Sequence, residues 1–383
     1  MSDSAAPLVE RVRARLATAA GSPSPVAVAA LVREEAGGLL GDRAVLSAVR
    51  AATDELSGAG VLEPLLRLPG VTDVLVNGPR SVWVDRGGGL EPVDVRFPDE
   101  AAVRRLAVRL AAAAGRRLDD AAPWVDAGLP DGTRLHAVLP PVSGSGTCLS
   151  LRVLRRAVLS FDDLAARGAF PGAAADLLTA MVRARLAFLV TGGTGTGKTT
   201  VLSALLGLVG PAERVVLCED APELAPLHPH VVRLLTRPPN VEAAGAVTMR
   251  DLVRQALRMR PDRLVVGEVR GGEVVDLLAA LNTGHDGGCG TVHVNRAADL
   301  PARLEALGEA AGLGRAAVHS QAAAALSLVV HLRRSPAGRH VTEIGVVRRC
   351  GELIEVAAGW RADGGMCPGR AELAALVQVS GSG

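Results

Sequence analysis

Apolar positions recur along this chain in three successive rhythms. Over residues 7–66 they fall at helical intervals (Leu8, Val12, Leu16; Val28, Leu31, Val32), broken at Gly21-Ser-Pro-Ser-Pro25 and at Gly37-Gly38. That spacing predicts a helical N-terminal region over residues 1–60. From Val71 the period drops to two: residues 71–76, then 81–85 beyond an Asn77-Gly78-Pro79 turn, then 90–97 after Gly87-Gly88-Gly89. These are expected to pair as a small antiparallel sheet. Helical spacing returns over residues 101–114, and residues 135–139 and 147–154 read as two further strands around a Pro140-Pro141 loop. Residues 61–158 are therefore expected to form an α+β domain, followed by a linker at 159–171.

Beyond that linker, short apolar runs alternate with helical segments. The expected strands are residues 186–190, 214–218, 230–235, 264–267 and 290–294, and the helices between them begin at Thr199, Thr248, Gly272 and Ala298. Such alternation predicts a mainly parallel sheet covered by helices on both faces, in a domain spanning 172–360. Residues 327–332, 341–344 and 352–356 are expected as short strands at a sheet edge, with 361–383 as a C-terminal tail. The fold class is α/β.

Composition narrows the partners. A net charge of +2 over 383 residues supplies no strong field toward nucleic acid. With no Tyr, four Phe and three Trp, the chain has few rings on which bases could stack, so direct nucleic-acid binding is not expected. No stretch approaches the roughly 18 uninterrupted apolar residues of a membrane helix, and the N-terminus mixes acids with arginines, so a cytoplasmic location is expected. The five cysteines form no CxxC pair and read as isolated buried thiols.

Lysine occurs once, at Lys198, against 41 arginines. A coding bias toward arginine explains the excess wherever any surface cation serves. At Lys198 the slim ammonium itself is needed, because a planar guanidinium is too wide to reach phosphates through a closed loop. Lys198 lies in Gly192-Gly193-Thr194-Gly195-Thr196-Gly197-Lys198-Thr199-Thr200, between a predicted strand and a predicted helix. There the glycines let backbone N–H groups turn toward phosphate oxygens, Lys198 would contact the β and γ phosphates of ATP, and the Thr199 hydroxyl would bind Mg²⁺.

Two acidic segments could complete such a site. Arg263 to Glu268 is an apolar strand ending in a carboxylate, and Glu268 is the candidate to orient or deprotonate a water. Glu219-Asp220-Ala221-Pro222-Glu223 ends another strand with three acids, either a solvated loop or, beside a phosphate loop, a water- or Mg²⁺-positioning element. The segment 284–293 carries His285 and His293 among glycines. His293 is the candidate phosphate sensor, and its flexible surroundings do not supply a closed zinc shell.

These segments together resemble the secretion ATPases of type II and type IV systems, most closely the Tad/Flp-type pilus assembly ATPases. The resemblance spans about residues 62–356. It is carried by Val71 to Pro79, Gly115-Arg-Arg117, Asp131-Gly-Thr-Arg134, Leu149-Ser-Leu-Arg152, the loop at 192–199, Glu219 to Leu224, Thr236 to Glu242, Leu257 to Asp262, Val266 to Gly272 and Asn282 to Gly287. It implies a RecA-like P-loop domain with a Walker A loop, an acidic box at Glu219–Glu223, a Walker B glutamate at Glu268 and a histidine box at 284–293. It further implies that Arg134 and Arg152 of the N-terminal domain fold over the nucleotide, with Arg258 and Arg270 as weaker candidates. A homo-oligomeric ring, a hexamer, is implied, peripherally docked on integral-membrane platform proteins of a pilus or secretion apparatus at the inner face of the cell membrane. Two features depart from the pattern. Gly288-Cys289-Gly290 replaces the usual Ser or Thr with an apolar residue and is expected to loosen that strand and slow hydrolysis, and the absence of a four-cysteine zinc insertion favours the Tad-like branch.

Overall fold

The computed structural model describes residues 15, 25–35, 49, 58–153, 158–239, 244–336 and 338–378. Of the expected helical region over 1–60, helix α1 (Pro25–Glu35) is described, and most of the remainder lies outside the described residues. The chain divides into two compact units, Met1–Arg155 and Arg156–Gly383.

The first unit holds a six-stranded sheet in the order β3-β2-β1-β6-β5-β4. Its strands are β1 (Asp73–Asn77), β2 (Val82–Asp85), β3 (Leu90–Val93), β4 (Trp124–Gly128), β5 (Arg134–Val138) and β6 (Cys148–Arg152). Every neighbouring pair is antiparallel. The period-two pattern sends Val74, Val76, Val82, Val84, Leu135, Ala137, Leu149 and Leu151 to one face, where they bury against helix α2 (Glu100–Ala113). Asp99 caps that helix by accepting a hydrogen bond from the Ala102 amide. β4 was not anticipated: its Trp124 is largely exposed and only Val125 and Ala127 point inward, too short a signal to read as alternation.

The second unit is built on an eight-stranded sheet in the order β14-β13-β12-β7-β11-β10-β8-β9. The strands are β7 (Phe188–Gly192), β8 (Val215–Glu219), β9 (Val231–Leu235), β10 (Arg263–Val266), β11 (Cys289–Val292), β12 (Leu328–Ser335), β13 (Gly338–Cys350) and β14 (Leu353–Arg361). From β12 through β9 all neighbours run parallel, and only β13 and β14 are antiparallel additions. Successive residues of β8 and β10 enter opposite cores: Val216, Cys218, Leu264 and Val266 on one face, Val215, Leu217 and Val265 on the other. Burial on both faces is why these strands read as unbroken apolar runs.

Three expectations are corrected here. Residues 159–171, expected as a linker, carry helix α3 (Phe161–Ala166), started by a reciprocal Ser160–Asp163 capping box. Phe161 and Phe170 stack with ring centroids 4.5 Å apart and bury in the second unit's core, so the aromatic pair outweighs the glycines and proline around it. The strand expected at a sheet edge around 327–332 is instead interior: β12 pairs directly with β7. The expected tail includes helix α10 (Arg370–Gln378), which seats Leu373 in the core. Between these elements lie α4 (Ala174–Arg183), α5 (Lys198–Leu206), α6 (Met249–Ala256), α7 (Glu273–Leu281), α8 (Leu300–Ala310) and α9 (Arg315–Ala325).

Candidate nucleotide-binding site

The loop between β7 and α5 begins at Gly192, with φ of 151°, and ends at Gly197, with φ of 93°, on either side of Gly195 at 71°. Only glycine holds the left-handed turns at 195 and 197 without strain. At Gly192 a side chain is also excluded by space, since a Cβ there would lie 2.7 Å from the Leu332 carbonyl oxygen and 2.7 Å from Thr196 Oγ1. Helix α5 starts at Lys198 with no side-chain cap and no acid in its first turn. Its opening amides are therefore not claimed by a capping side chain, unlike those of α3 and α6, where the Ser160 and Thr248 hydroxyls accept from the Asp163 and Asp251 amides.

Lys198 folds back across the loop. Its Nζ donates to the carbonyl oxygens of Gly192 and Gly193, both at 3.0 Å. Thr196 Oγ1 donates to the same Gly193 carbonyl at 2.9 Å. Burial lowers the ammonium's pKa, while the charges of Glu268 and Glu223 oppose that shift. Lys198, Glu268 and Glu223 thus share one electrostatic environment.

Glu268 is fixed through its backbone. The Gly267 amide donates to the Cys218 carbonyl at 2.8 Å, Thr291 Oγ1 donates to the Gly267 carbonyl at 2.7 Å, and the Val269 amide donates to the Thr291 carbonyl at 2.8 Å. The residues before and after Glu268 are therefore held by the strands on either side. Its carboxylate pairs with Arg270, which extends from the same turn. Gly267 leaves room for Glu219: a Cβ there would lie 3.0 Å from Glu219 Cγ, which would have to give way by a few tenths of an ångström.

The acidic segment separates into two roles. Glu219 is 2 % exposed, and both oxygens are occupied: Oε1 accepts from the Glu223 and Leu224 amides at 2.9 and 2.7 Å, and Oε2 accepts from Arg233 Nε at 2.8 Å. Burial pushes its carboxyl pKa up, and those donors pull it back. Glu219, a candidate to act on metal or water, is held here as an internal anchor that shapes the turn. Glu223 is the acid that faces the loop, with Oε2 accepting from Thr199 Oγ1 at 3.4 Å. Among the described residues no group of three or more His, Cys, Asp and Glu side chains is arranged to hold a metal by itself. A hydroxyl and one carboxylate fit a Mg²⁺ that takes its other ligands from phosphate and water.

His293 follows β11, one residue past Val292, which lies opposite Thr191 of β7. The glycines before it are packed rather than loose. A Cβ on Gly288 would sit 2.4 Å from Leu281 Cδ2, and one on Gly290 would sit 2.8 Å from the Val266 carbonyl. The expected loosening of this strand is therefore corrected: Gly288 and Gly290 are what let β11 lie close against β10. Cys289 between them is fully buried, and burial pushes its thiol up to about 12.

Arg134 and Arg152 belong to the first unit, where they are register partners on β5 and β6. Arg134 pairs with Asp126 at 2.6 Å and Arg152 with Asp73 at 2.9 Å. One feature of the second unit escaped the sequence reading. His331 on β12 is 3 % exposed and its Nδ1 lies 2.9 Å from Oγ1 of Thr191, the residue before Gly192. The signal was there, as a lone polar residue inside the apolar run Leu328-Val-Val-His-Leu332.

The sequence matches the family described as "Type II/IV secretion system protein" over residues 55–379. The chain belongs to that family. Its relatives include the Mycobacterium tuberculosis H37Rv protein Rv3659c, whose name assigns it provisionally to conjugal transfer, at 59% identity over 90% of this chain and 100% of that protein. Another is the type IV secretion system protein PtlH of Bordetella pertussis, at 34% identity over 61% of this chain and 75% of PtlH. Among solved structures the fold matches that of the pilus retraction motor PilT with bound ADP, at a TM-score of 0.51 and 21% identity over 74% of this chain and 80% of PilT. The Yersinia pseudotuberculosis ATPase DotB gives a TM-score of 0.52 at 17% identity, over 76% of this chain and 78% of DotB. This secretion-family chain therefore has a mixed α/β fold whose second unit is RecA-like, and its family implies nucleotide binding. Among the described residues no helix is long and apolar enough to cross a membrane.

Proposed function

We propose that this secretion-family protein hydrolyses ATP with Mg²⁺ in a ring of identical subunits, a hexamer, and uses the cycle to drive pilus assembly or protein export of the Tad/Flp type. The observation that carries the reading is Lys198, the chain's one lysine, held inside a loop whose helix leaves its first amides uncapped. Residues 192–200 bind the phosphates, and Thr199 with Glu223 would hold the Mg²⁺. The ion would neutralise charge developing on the transferred phosphoryl group. Glu268 orients the attacking water and accepts its proton, with Arg270 positioning the carboxylate. His293, beyond the end of β11, senses the terminal phosphate. Arg134 and Arg152 exchange their carboxylate partners for phosphate when the N-terminal domain closes, which couples nucleotide state to domain movement. The working location is the cytoplasmic face of the membrane, against an integral-membrane platform.

Lys198→Ala should lose nucleotide binding, measured with a fluorescent ATP analogue. Glu268→Gln should keep binding but lose about 10²- to 10⁴-fold in turnover, the range that a catalytic base contributes. Normal phosphate release from either variant would overturn the mechanism.

A second reading is favoured by the relatives named for conjugal transfer, among them TrbB of Sinorhizobium fredii at 32% identity over 73% of this chain and 84% of TrbB. In that reading the same ATPase assists DNA transfer. Stimulation of phosphate release by single-stranded DNA would support it, whereas an unchanged rate favours protein cargo.

A further inference from the structure

The hairpin of β12 and β13 braces the phosphate loop at both ends. At the first glycine, the Leu332 carbonyl comes so close that a Cβ on Gly192 would lie 2.7 Å from its oxygen. At the last, a Cβ on Gly197 would lie 3.5 Å from Cδ of Arg339, so the arginine stem rests against the residue that precedes Lys198. Arg339 is exposed, and among the described residues no carboxylate pairs with it. In the hairpin register Arg339 lies directly opposite Arg334. Like charges placed opposite one another across two strands are unfavourable by themselves. A guanidinium kept at such a position, with its stem seated on a phosphate loop, has a bound polyanion as its natural counter-charge.

We infer that Arg339 is a nucleotide-binding residue, contributed by the β12–β13 hairpin of the same subunit, whose guanidinium contacts the phosphate chain of the nucleotide held at residues 192–200. The inference rests on the nucleotide-binding reading above. It adds a cation from the far end of the domain to a site otherwise built from β7, β8, β10 and β11. It also means that the hairpin, bonded to the loop strand through β12, responds to the phosphates directly.

The test is binding of a fluorescent ATP analogue and its competition by inorganic tripolyphosphate, with the full-length protein, Arg339→Ala, Arg339→Lys and Lys198→Ala. Lys198-dependent binding by the unaltered protein establishes the site. Without it the nucleotide-binding reading itself fails, whatever Arg339 does. Given that binding, Arg339→Ala should weaken ATP and tripolyphosphate alike by about 10- to 100-fold, the factor that a charge-assisted hydrogen bond to phosphate carries. Arg339→Lys should recover part of the loss, and melting temperatures should stay level because the side chain is exposed. Unchanged affinity for both ligands would overturn the inference. A loss confined to ATP, with tripolyphosphate unaffected, would also overturn it, by moving the contact from the phosphates to the nucleoside.

Discussion

Glu219 and Glu223 stand four residues apart and do opposite work. Glu219 is surrounded by donors and pairs with Arg233, so removing its carboxylate leaves two amides without an acceptor and a partly buried guanidinium with only the Leu224 carbonyl. Glu219→Ala should therefore cost about 3 kcal/mol of stability, read as a lower urea midpoint. Glu223→Gln should leave that midpoint unchanged and raise the Mg²⁺ concentration needed for half-maximal turnover. The reverse pattern would return the metal role to Glu219. His331 gives a separate prediction. Burial first, with Arg333 nearby, lowers its pKa from 6.5 to about 4. The unfolded chain therefore takes up a proton near pH 6.5 that the folded protein refuses until about pH 4. The neutral ring's contribution is complete above pH 6.5 and declines as pH falls from there toward 4. Plotted as a difference in melting temperature from His331→Gln, the unaltered protein should lose ground across that window, and a flat difference would show that the ring does not titrate as described.

The elements of the second unit were mostly legible because the central strands β7, β8, β10 and β11 are buried on both faces and read as apolar runs, and because helices α5 to α7 carry recognisable starts. The turn between β7 and α5 was legible from its glycine spacing, which the left-handed Gly195 and Gly197 account for. What escaped depended on contacts distant in sequence. Nothing within residues 159–171 announces that Phe161 will stack on Phe170 in a core, nor does any local pattern place β12 beside β7. The same limit applies to Gly288 and Gly290, whose local sequence suggests looseness while the strand packing requires their bareness. Gly290→Ala would push a methyl to 2.8 Å from the Val266 carbonyl. Overpacking of this kind should cost about 1–3 kcal/mol and lower the melting temperature. An unchanged or higher melting temperature would revive the loose-strand reading.

For the whole molecule, the proposed coupling depends on two arginines of the first unit, Arg134 and Arg152, which in this structure pair with Asp126 and Asp73 of their own unit. Lys198, Thr199, Glu223 and Glu268 meet at the ends of parallel strands β7, β8 and β10, the crevice where open α/β sheets bind ligands. The roles given to these residues, like the ring, the cargo and the platform, belong to the proposal. The most direct test is phosphate release from Mg-ATP by the purified protein over a range of protein concentrations, beside Lys198→Ala. The account predicts turnover per subunit that rises with concentration as rings assemble and is absent from the variant. Turnover equal in both proteins, or nucleotide bound without phosphate release at any concentration, would contradict it.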